Sequence, residues 1–293
     1  MLSLIIDVHT HPIFHKAICG DKETLEYRKR EFGIFKQSPT PVESVLQEMD
    51  YIGVTRSVLL PLDLTTRSGG WIVANEEVRT LVDLAPDRFI GFASVDPYRE
   101  DAAEALEYAF VHLKLSGLKL HPSKQKFYPD DDRLKPLYEI CVKYDKPIMF
   151  HAGMSWEPDA PAVYSHPLRF EEVAIAYPEL RICLAHFGWP WIQETVMLLL
   201  KYPNVFTDTS LLHMDNALDF YTQIFKVNMG PLWIERNLRD KVMFGTNTPR
   251  FKAKRLLPAL KALEFRPKTL QKILSGNAEV FLGERRNERP WLN

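Results

Sequence analysis

The sequence predicts an α/β chain of one domain, residues 1–293, folded as a (β/α)8 TIM barrel with a segment inserted after the first strand. Three observations carry this. Short runs rich in Val, Ile, Leu and Phe recur along the chain, each followed by a polar turn and an amphipathic stretch. The runs are continuous rather than alternating, as in parallel strands buried on both faces. Eight such strands alternate with eight helices, the number that closes this barrel.

The first strand is expected at residues 4–8 and the second at 56–60. The helix between them has Thr40-Pro41-Val42-Glu43 as a capping box with proline at its first position, and Gly53 as its stop. Later strands are expected at 89–95, 117–120, 147–150, 181–185, 205–207 and 242–244. The helices fall at 71–84, 101–110, 133–144, 169–177, 191–202, 218–225 and 255–263. An open doubly wound sheet alternates in the same way, but no Gly-rich phosphate turn follows the first strand, which counts against the dinucleotide-binding version. Residues 15–38 are charged and partly helical. They interrupt the first βα connection as a lid or as a contact in a homo-oligomer.

Composition excludes several function classes. Lys+Arg of 37 against Asp+Glu of 38 leaves a formal charge of -1, unlike a chain that coats nucleic acid or an anionic membrane. No apolar run approaches the ~20 residues of a membrane span. The first residues lack a basic region and run directly into Asp7 and His9, which does not read as a secretion signal. Cys19, Cys141 and Cys183 are odd in number and far apart, so a reducing cytoplasm is the expected setting. A small-molecule substrate is the partner these features leave.

Ionisable residues gather at the strand ends. Asp7, His9 and His11 alternate along the first strand, which strict period-two geometry places on one side. Lys119 and His121 end the fourth strand, His151 the fifth and His186 the sixth, while the eighth runs into Asn247. Parallel barrel strands deliver their C-terminal ends to one mouth, and converging neutral imidazoles suit a borderline cation such as Zn²⁺. Each residue alone also has an ordinary reading: His151 as a core histidine, His186 as a helix cap, Lys119 as a snorkelling surface lysine. His112 and His213 are expected at the surface. Residues 121–127 should contribute to the rim, Trp156, Trp189 and Trp191 offer flat walls, and Arg250 could clamp a carboxylate in bidentate fashion.

In order along the chain, Ile6-Asp7-Val8-His9-Thr10-His11, Gly117-Leu118-Lys119-Leu120-His121-Pro122, Phe150-His151-Ala152-Gly153, Ala185-His186-Phe187-Gly188 and Phe244-Gly245-Thr246-Asn247-Thr248-Pro249 resemble the motifs of the amidohydrolase superfamily. The resemblance is closer to the amidohydrolase-related branch that includes aminocarboxymuconate-semialdehyde decarboxylase-like enzymes. It implies one divalent metal, with Zn²⁺ the first expectation, held by His9, His11 and His151. It also implies His186 beside the metal as a catalytic group. Asn247 stands where the family pattern has an aspartate; its amide oxygen is expected as a fourth metal ligand, without the carboxylate that would accept a proton. The first functional expectation is hydrolysis of a small organic substrate by metal-activated water, with His186 and Asn247 as catalytic positions. Substrate contacts are assigned to Lys119, His121, Trp189 and Arg250. The alternatives are non-oxidative decarboxylation and a barrel that binds metal or ligand without turnover. A carbamylated Lys119 bridging two metals is the rival to a mononuclear site. Asp7 is expected behind the histidines, accepting a hydrogen bond from a ligand ring or from a neighbouring strand end.

Overall fold

The eight apolar runs expected as strands pair in parallel in a computed structural model that describes residues 4–210 and 216–285. In chain order the strands are β1 (Ile6–Thr10), β2 (Arg56–Leu59), β3 (Leu62–Leu64), β4 (Gly70–Val73), β5 (Phe89–Gly91), β6 (Leu118–Leu120), β7 (Ile148–Phe150), β8 (Ile182–Leu184), β9 (Val205–Asp208) and β10 (Val242–Met243). Two parallel runs carry the barrel, ordered β1-β2-β5 and β6-β7-β8-β9-β10. Single bridges join them at the two seams, Ala93 to Leu118 and Thr10 to Thr248. Val8 N also donates to Phe244 O at 3.0 Å. The circuit is that of a (β/α)8 barrel, with seams narrower than the ladders inside each run.

Alternation along the strands sorts side chains between two cores. In β7, Met149 joins an inner cluster with Ile6, Val8, Cys183, Phe206 and Met243, while Ile148 and Phe150 join the cluster shared with the helices. Each such side chain contributes roughly 1.5–3 kcal/mol when fully buried. The inner core is closed by Phe281, whose ring lies 6.4 Å from that of Phe92 and 5.7 Å from that of Phe206. Gly117 makes room for the Phe92 ring, because a Cβ there would lie 2.5 Å from it.

Three local expectations are corrected. Residues 71–84 are not one helix: Trp71, Ile72 and Val73 belong to β4, antiparallel to β3, and the helix is Asn75–Leu84. A β-branched and aromatic run with a partner strand beside it gains more from pairing than from helical register. Thr40 does not cap the helix Val42–Ile52. Its backbone bridges to His15, its hydroxyl donates to Ser38 O, and Pro41 holds the cap position without a side-chain bond. Gly53 does end that helix, at φ 87°. Finally, the helix expected at 218–225 is Ala217–Thr222, continued by a wider turn over Gln223–Asn228. His213 lies outside the described residues, and His112 stacks on Tyr108 at the chain's periphery.

The inserted segment contains the helix Lys22–Phe32, which starts at Asp21 and stops at Gly33 with φ 66°. Its anchor is Arg28, 1% exposed, which donates to both carboxylate oxygens of Glu77 at 2.5 and 2.6 Å and to Ile18 O at 2.7 Å. That anchor brings the C-terminal end of the helix, with Phe32, over the barrel mouth. Among the described residues no helix is long and apolar enough to cross a membrane.

Candidate active site

The C-terminal ends of β1, β6, β7, β8 and β10 bring His9, His11, Lys119, His121, His151, His186, Asn247 and Arg250 to one cleft. β1 breaks strict alternation to do this. Its register shifts between Asp7 and Thr10, so Val8 packs in the inner core while His9 beside it also lines the cleft. Asp7 consequently does not stand behind the histidines on their side. It borders the space under the helix Val42–Ile52, with Met49 and Ser57. Its carboxylate accepts from His9 N at 3.1 Å, Thr246 N at 3.0 Å and the Thr246 hydroxyl at 2.6 Å. Burial pushes it up to about 7 against those hydrogen bonds. It touches a neighbouring strand-end group, as expected, but no imidazole ring.

The carboxylate that does meet a ring is Asp208, the last residue of β9. Its Oδ2 lies 2.8 Å from His9 Nδ1. The expected strand stopped one residue short, at Thr207, so the strand-end rule that found the histidines would have found Asp208 with a better boundary. Ser210, two residues on, carries no sequence signal of its own; its carbonyl accepts from His186 Nδ1 at 2.6 Å.

Acceptor-only partners fix the ring tautomers. His11 Nδ1 faces the Leu60 carbonyl at 3.1 Å and His9 Nδ1 faces the Asp208 carboxylate, so both Nδ1 atoms carry the proton and both Nε2 atoms are bare. Those two Nε2 atoms are 3.2 Å apart. With no proton between them they repel, unless a cation lies between them. His186 Nδ1 donates to the Ser210 carbonyl, so its Nε2 must accept from His151 Nδ1 at 3.1 Å. That leaves His151 Nε2 bare, buried and without a partner. Burial first, then positive neighbours, holds His9, His11 and His151 well below the ordinary histidine range, while burial, opposed by the Asp208 charge, lowers His186 to about 4. The rings are neutral at pH 7. By donor type, three bare imidazole nitrogens, one of them an orphan, suit one divalent cation; by distance, those of His9, His11 and His151 do not all lie within 4.8 Å of one another.

His121 differs. Its Nδ1 accepts from Lys124 N at 3.2 Å, so its proton is on Nε2, and its ring stacks on His151 at 3.8 Å with an 8° interplanar angle. Lys119 is 1% exposed with Nζ unpartnered; burial lowers it to about 8, opposed by Asp208. The ligand atoms that fall within 4.8 Å of one another are those of His9, His186 and Asp208, rather than of His9, His11 and His151. Asn247 borders the cleft with left-handed backbone, φ 63°, and its N donates to His9 O at 2.8 Å.

Trp189, expected as a substrate wall, is turned elsewhere. The chain after β8 passes through left-handed His186, Phe187 and Gly188, and the Trp189 ring packs on Phe220 at 5.9 Å. Trp191 packs on His166 at 4.6 Å, whereas Trp156 borders the cleft. Arg250 is not a free clamp. It donates to Phe32 O at 2.7 Å and to Glu157 at 3.2 Å, and its guanidinium lies 5.1 Å from the Phe32 ring centroid. Lys124 shares Glu157 at 3.2 Å and donates to Glu31 O. Phe32, whose ring is 4.9 Å from that of His11, roofs the cleft. Lys124 lies in the segment expected at the rim, but Phe32 and Glu157 gave no individual sequence signal as functional positions, because segments far apart in sequence meet there.

Fold and site together define a barrel enzyme with strand-end histidines facing one cleft. The chain belongs to the Amidohydrolase family, whose profile matches residues 6–283. It is 25% identical over 247 residues to 2-amino-3-carboxymuconate-6-semialdehyde decarboxylase of Dictyostelium discoideum, a match covering 71% of this chain and 65% of that protein. Among solved structures, an uncharacterized TIM-barrel protein from Bordetella bronchiseptica superposes with TM-score 0.74 at 23% identity, covering 96% of this chain and 98% of the other. The 5-carboxyvanillate decarboxylase of Novosphingobium aromaticivorans, solved with manganese and 4-hydroxy-3-methoxy-5-nitrobenzoic acid, superposes with TM-score 0.63 at 19% identity, covering 96% of each chain. These structural likenesses speak for the fold.

Proposed function

We propose that this chain is a metal-dependent lyase that removes CO₂, without oxidation, from a small carboxylated organic compound. One observation carries the reading: the cleft separates bare nitrogens from proton-bearing groups and leaves no carboxylate free. His9, His11 and His151 present lone pairs, while Lys119 and His121 present N–H groups. Asp208 is saturated by donors, and Glu157 is held by Lys124 and Arg250. Hydrolysis needs a base to take a proton from water, and among the described residues lining the cleft no unengaged carboxylate offers one. Decarboxylation needs the reverse. The bond to the carboxyl carbon breaks, its electron pair stays on the remaining carbon, CO₂ leaves, and that carbon takes a proton. The name of the Dictyostelium relative points the same way, so decarboxylation replaces hydrolysis as the leading reading.

A cation at the three bare nitrogens would act as a Lewis acid on the substrate's oxygens. The nitrogen donors suit Zn²⁺, and the manganese of the Novosphingobium structure makes Mn²⁺ the second metal to load. One ion, rather than a pair bridged by Lys119, is proposed. Lys119 and His121 would hold the substrate anion and are the proton sources nearest to it. The test is to load the protein with Zn²⁺ or Mn²⁺ and supply two panels, aromatic and unsaturated carboxylic acids, and amides, esters and lactones. CO₂ release that scales with bound metal is expected. Hydrolysis without CO₂, or bound metal with no product from either panel, would overturn the proposal.

A further inference from the structure

Asp208 is fully buried and fully engaged. Its Oδ2 accepts from His9 Nδ1 at 2.8 Å. Its Oδ1 accepts from His186 N at 2.9 Å, from Ser210 N at 3.0 Å and from the Ser210 hydroxyl. The Ser210 oxygen, in turn, sits 3.0 Å from His9 Nδ1 and 2.9 Å from His186 Nδ1. One carboxylate therefore holds a ring from β1, the backbone at the start of the His186 turn, and the serine between the two rings.

We propose that Asp208 is a positioning residue that sets the tautomers of the cation-binding histidines, not itself a ligand. Its contact keeps the proton of His9 on Nδ1 and leaves Nε2 bare. Its grip on the His186 and Ser210 amides holds the Ser210 carbonyl against His186 Nδ1, and His186 Nε2 then draws the proton of His151 to Nδ1. The bare Nε2 atoms of His9 and His151 both trace back to this carboxylate, whereas His11 is set independently by Leu60. The short separations among His9, His186 and Asp208 would suit a metal-binding triad by distance alone. However, the nitrogens facing Asp208 and Ser210 are the protonated ones, and the carboxylate has about as many donors as it has lone pairs. The proposal rests on the metal-dependent reading for the purpose of the site, but its test does not need turnover.

Asp208→Asn keeps the shape and the oxygen that accepts from the two amides, but turns an NH₂ toward His9. His9 Nδ1 must then accept, which moves its proton to Nε2. In metal-free protein, long-range ¹H–¹⁵N spectra should show His9 and His151 as Nδ1–H tautomers in the wild type, and His9 as Nε2–H in Asp208→Asn. Competition titration should show Zn²⁺ affinity reduced by about 10–100-fold. Ser210→Ala, which leaves the Asp208–His9 contact in place, should keep the wild-type tautomer of His9. A wild-type His9 protonated on Nε2 would overturn the proposal even if the variants failed to fold. So would lost affinity in Asp208→Asn without a tautomer change, since that would make Asp208 a direct ligand. If the proposal is right and decarboxylation is wrong, the tautomers and affinities stand while CO₂ is absent.

Discussion

Glu157→Gln should unlatch the inserted helix from the barrel mouth. Glu157 Oε1 lies 3.2 Å from both Lys124 Nζ and Arg250 Nη2, and the three side chains are 18%, 8% and 18% exposed. Both cations also donate to carbonyls at the C-terminal end of the helix Lys22–Phe32, where the helix dipole is negative. Burial already presses Lys124 and Arg250 below their ordinary ranges, with Glu157 opposing it in both. Glutamine keeps the volume and an acceptor oxygen but removes the only full counter-charge of the trio. Breaking a buried pair from one side costs about 3–5 kcal/mol, and the remaining water contact argues for the lower end. The Arg28–Glu77 pair still anchors the middle of the helix, so the loss should appear as local opening of residues 29–33 rather than global unfolding. About 3 kcal/mol corresponds to about a 100-fold rise in opening, at 1.4 kcal/mol per decade. Hydrogen exchange followed by mass spectrometry on peptides spanning residues 27–35 would measure it. Protection unchanged within about threefold, or a fall spread evenly over the barrel, would refute the latch.

Three further outcomes are expected. Phe281→Ala should cost about 3–5 kcal/mol, a fall in Tm of roughly 6–20 °C by calorimetry. It should leave metal stoichiometry unchanged, because Phe281 packs on Phe206, two residues deeper in β9 than Asp208; loss of metal binding would show that the two regions are coupled. Asn247→Asp adds a charged oxygen at the cleft without disturbing the left-handed backbone, which aspartate tolerates. Zn²⁺ affinity should rise in competition titration, and no change would place residue 247 away from the cation. Burial holds His15 at about 4, below its ordinary 6.5. The stability it contributes as a neutral group is complete above pH 6.5 and lost as pH falls from there toward 4. His15→Leu should flatten the Tm profile across that interval, and parallel profiles would exclude His15 as a cause of acid sensitivity.

Much of the barrel was legible because a parallel strand buried on both faces must be apolar at consecutive positions. Residues 148–150 and 182–184 show this directly, with 0% exposure throughout. The same logic placed His9, His121, His151 and His186 at strand ends facing one cleft. It missed where the ladder itself departs from period two. The register shift in β1 sent Asp7 away from the histidines, and a strand ended one residue early hid Asp208. It also misread Trp71–Val73 as helix, since a run of three suitable residues becomes a strand only when a partner such as Leu62–Leu64 lies beside it.

The sequence by itself determined the eight barrel strands, their parallel direction and the identity of the strand-end histidines, because burial and periodicity are properties of short local stretches. Tertiary structure alone decided which nitrogen of each histidine is bare. That depends on the Leu60 carbonyl, the Asp208 carboxylate and the Ser210 carbonyl, which come from other strands and turns. It likewise decided that Arg250 and Lys124 hold the end of the inserted helix through Glu157. A proton's position and an ion pair's partners are set by contact across the barrel mouth, and no pattern along one strand records them.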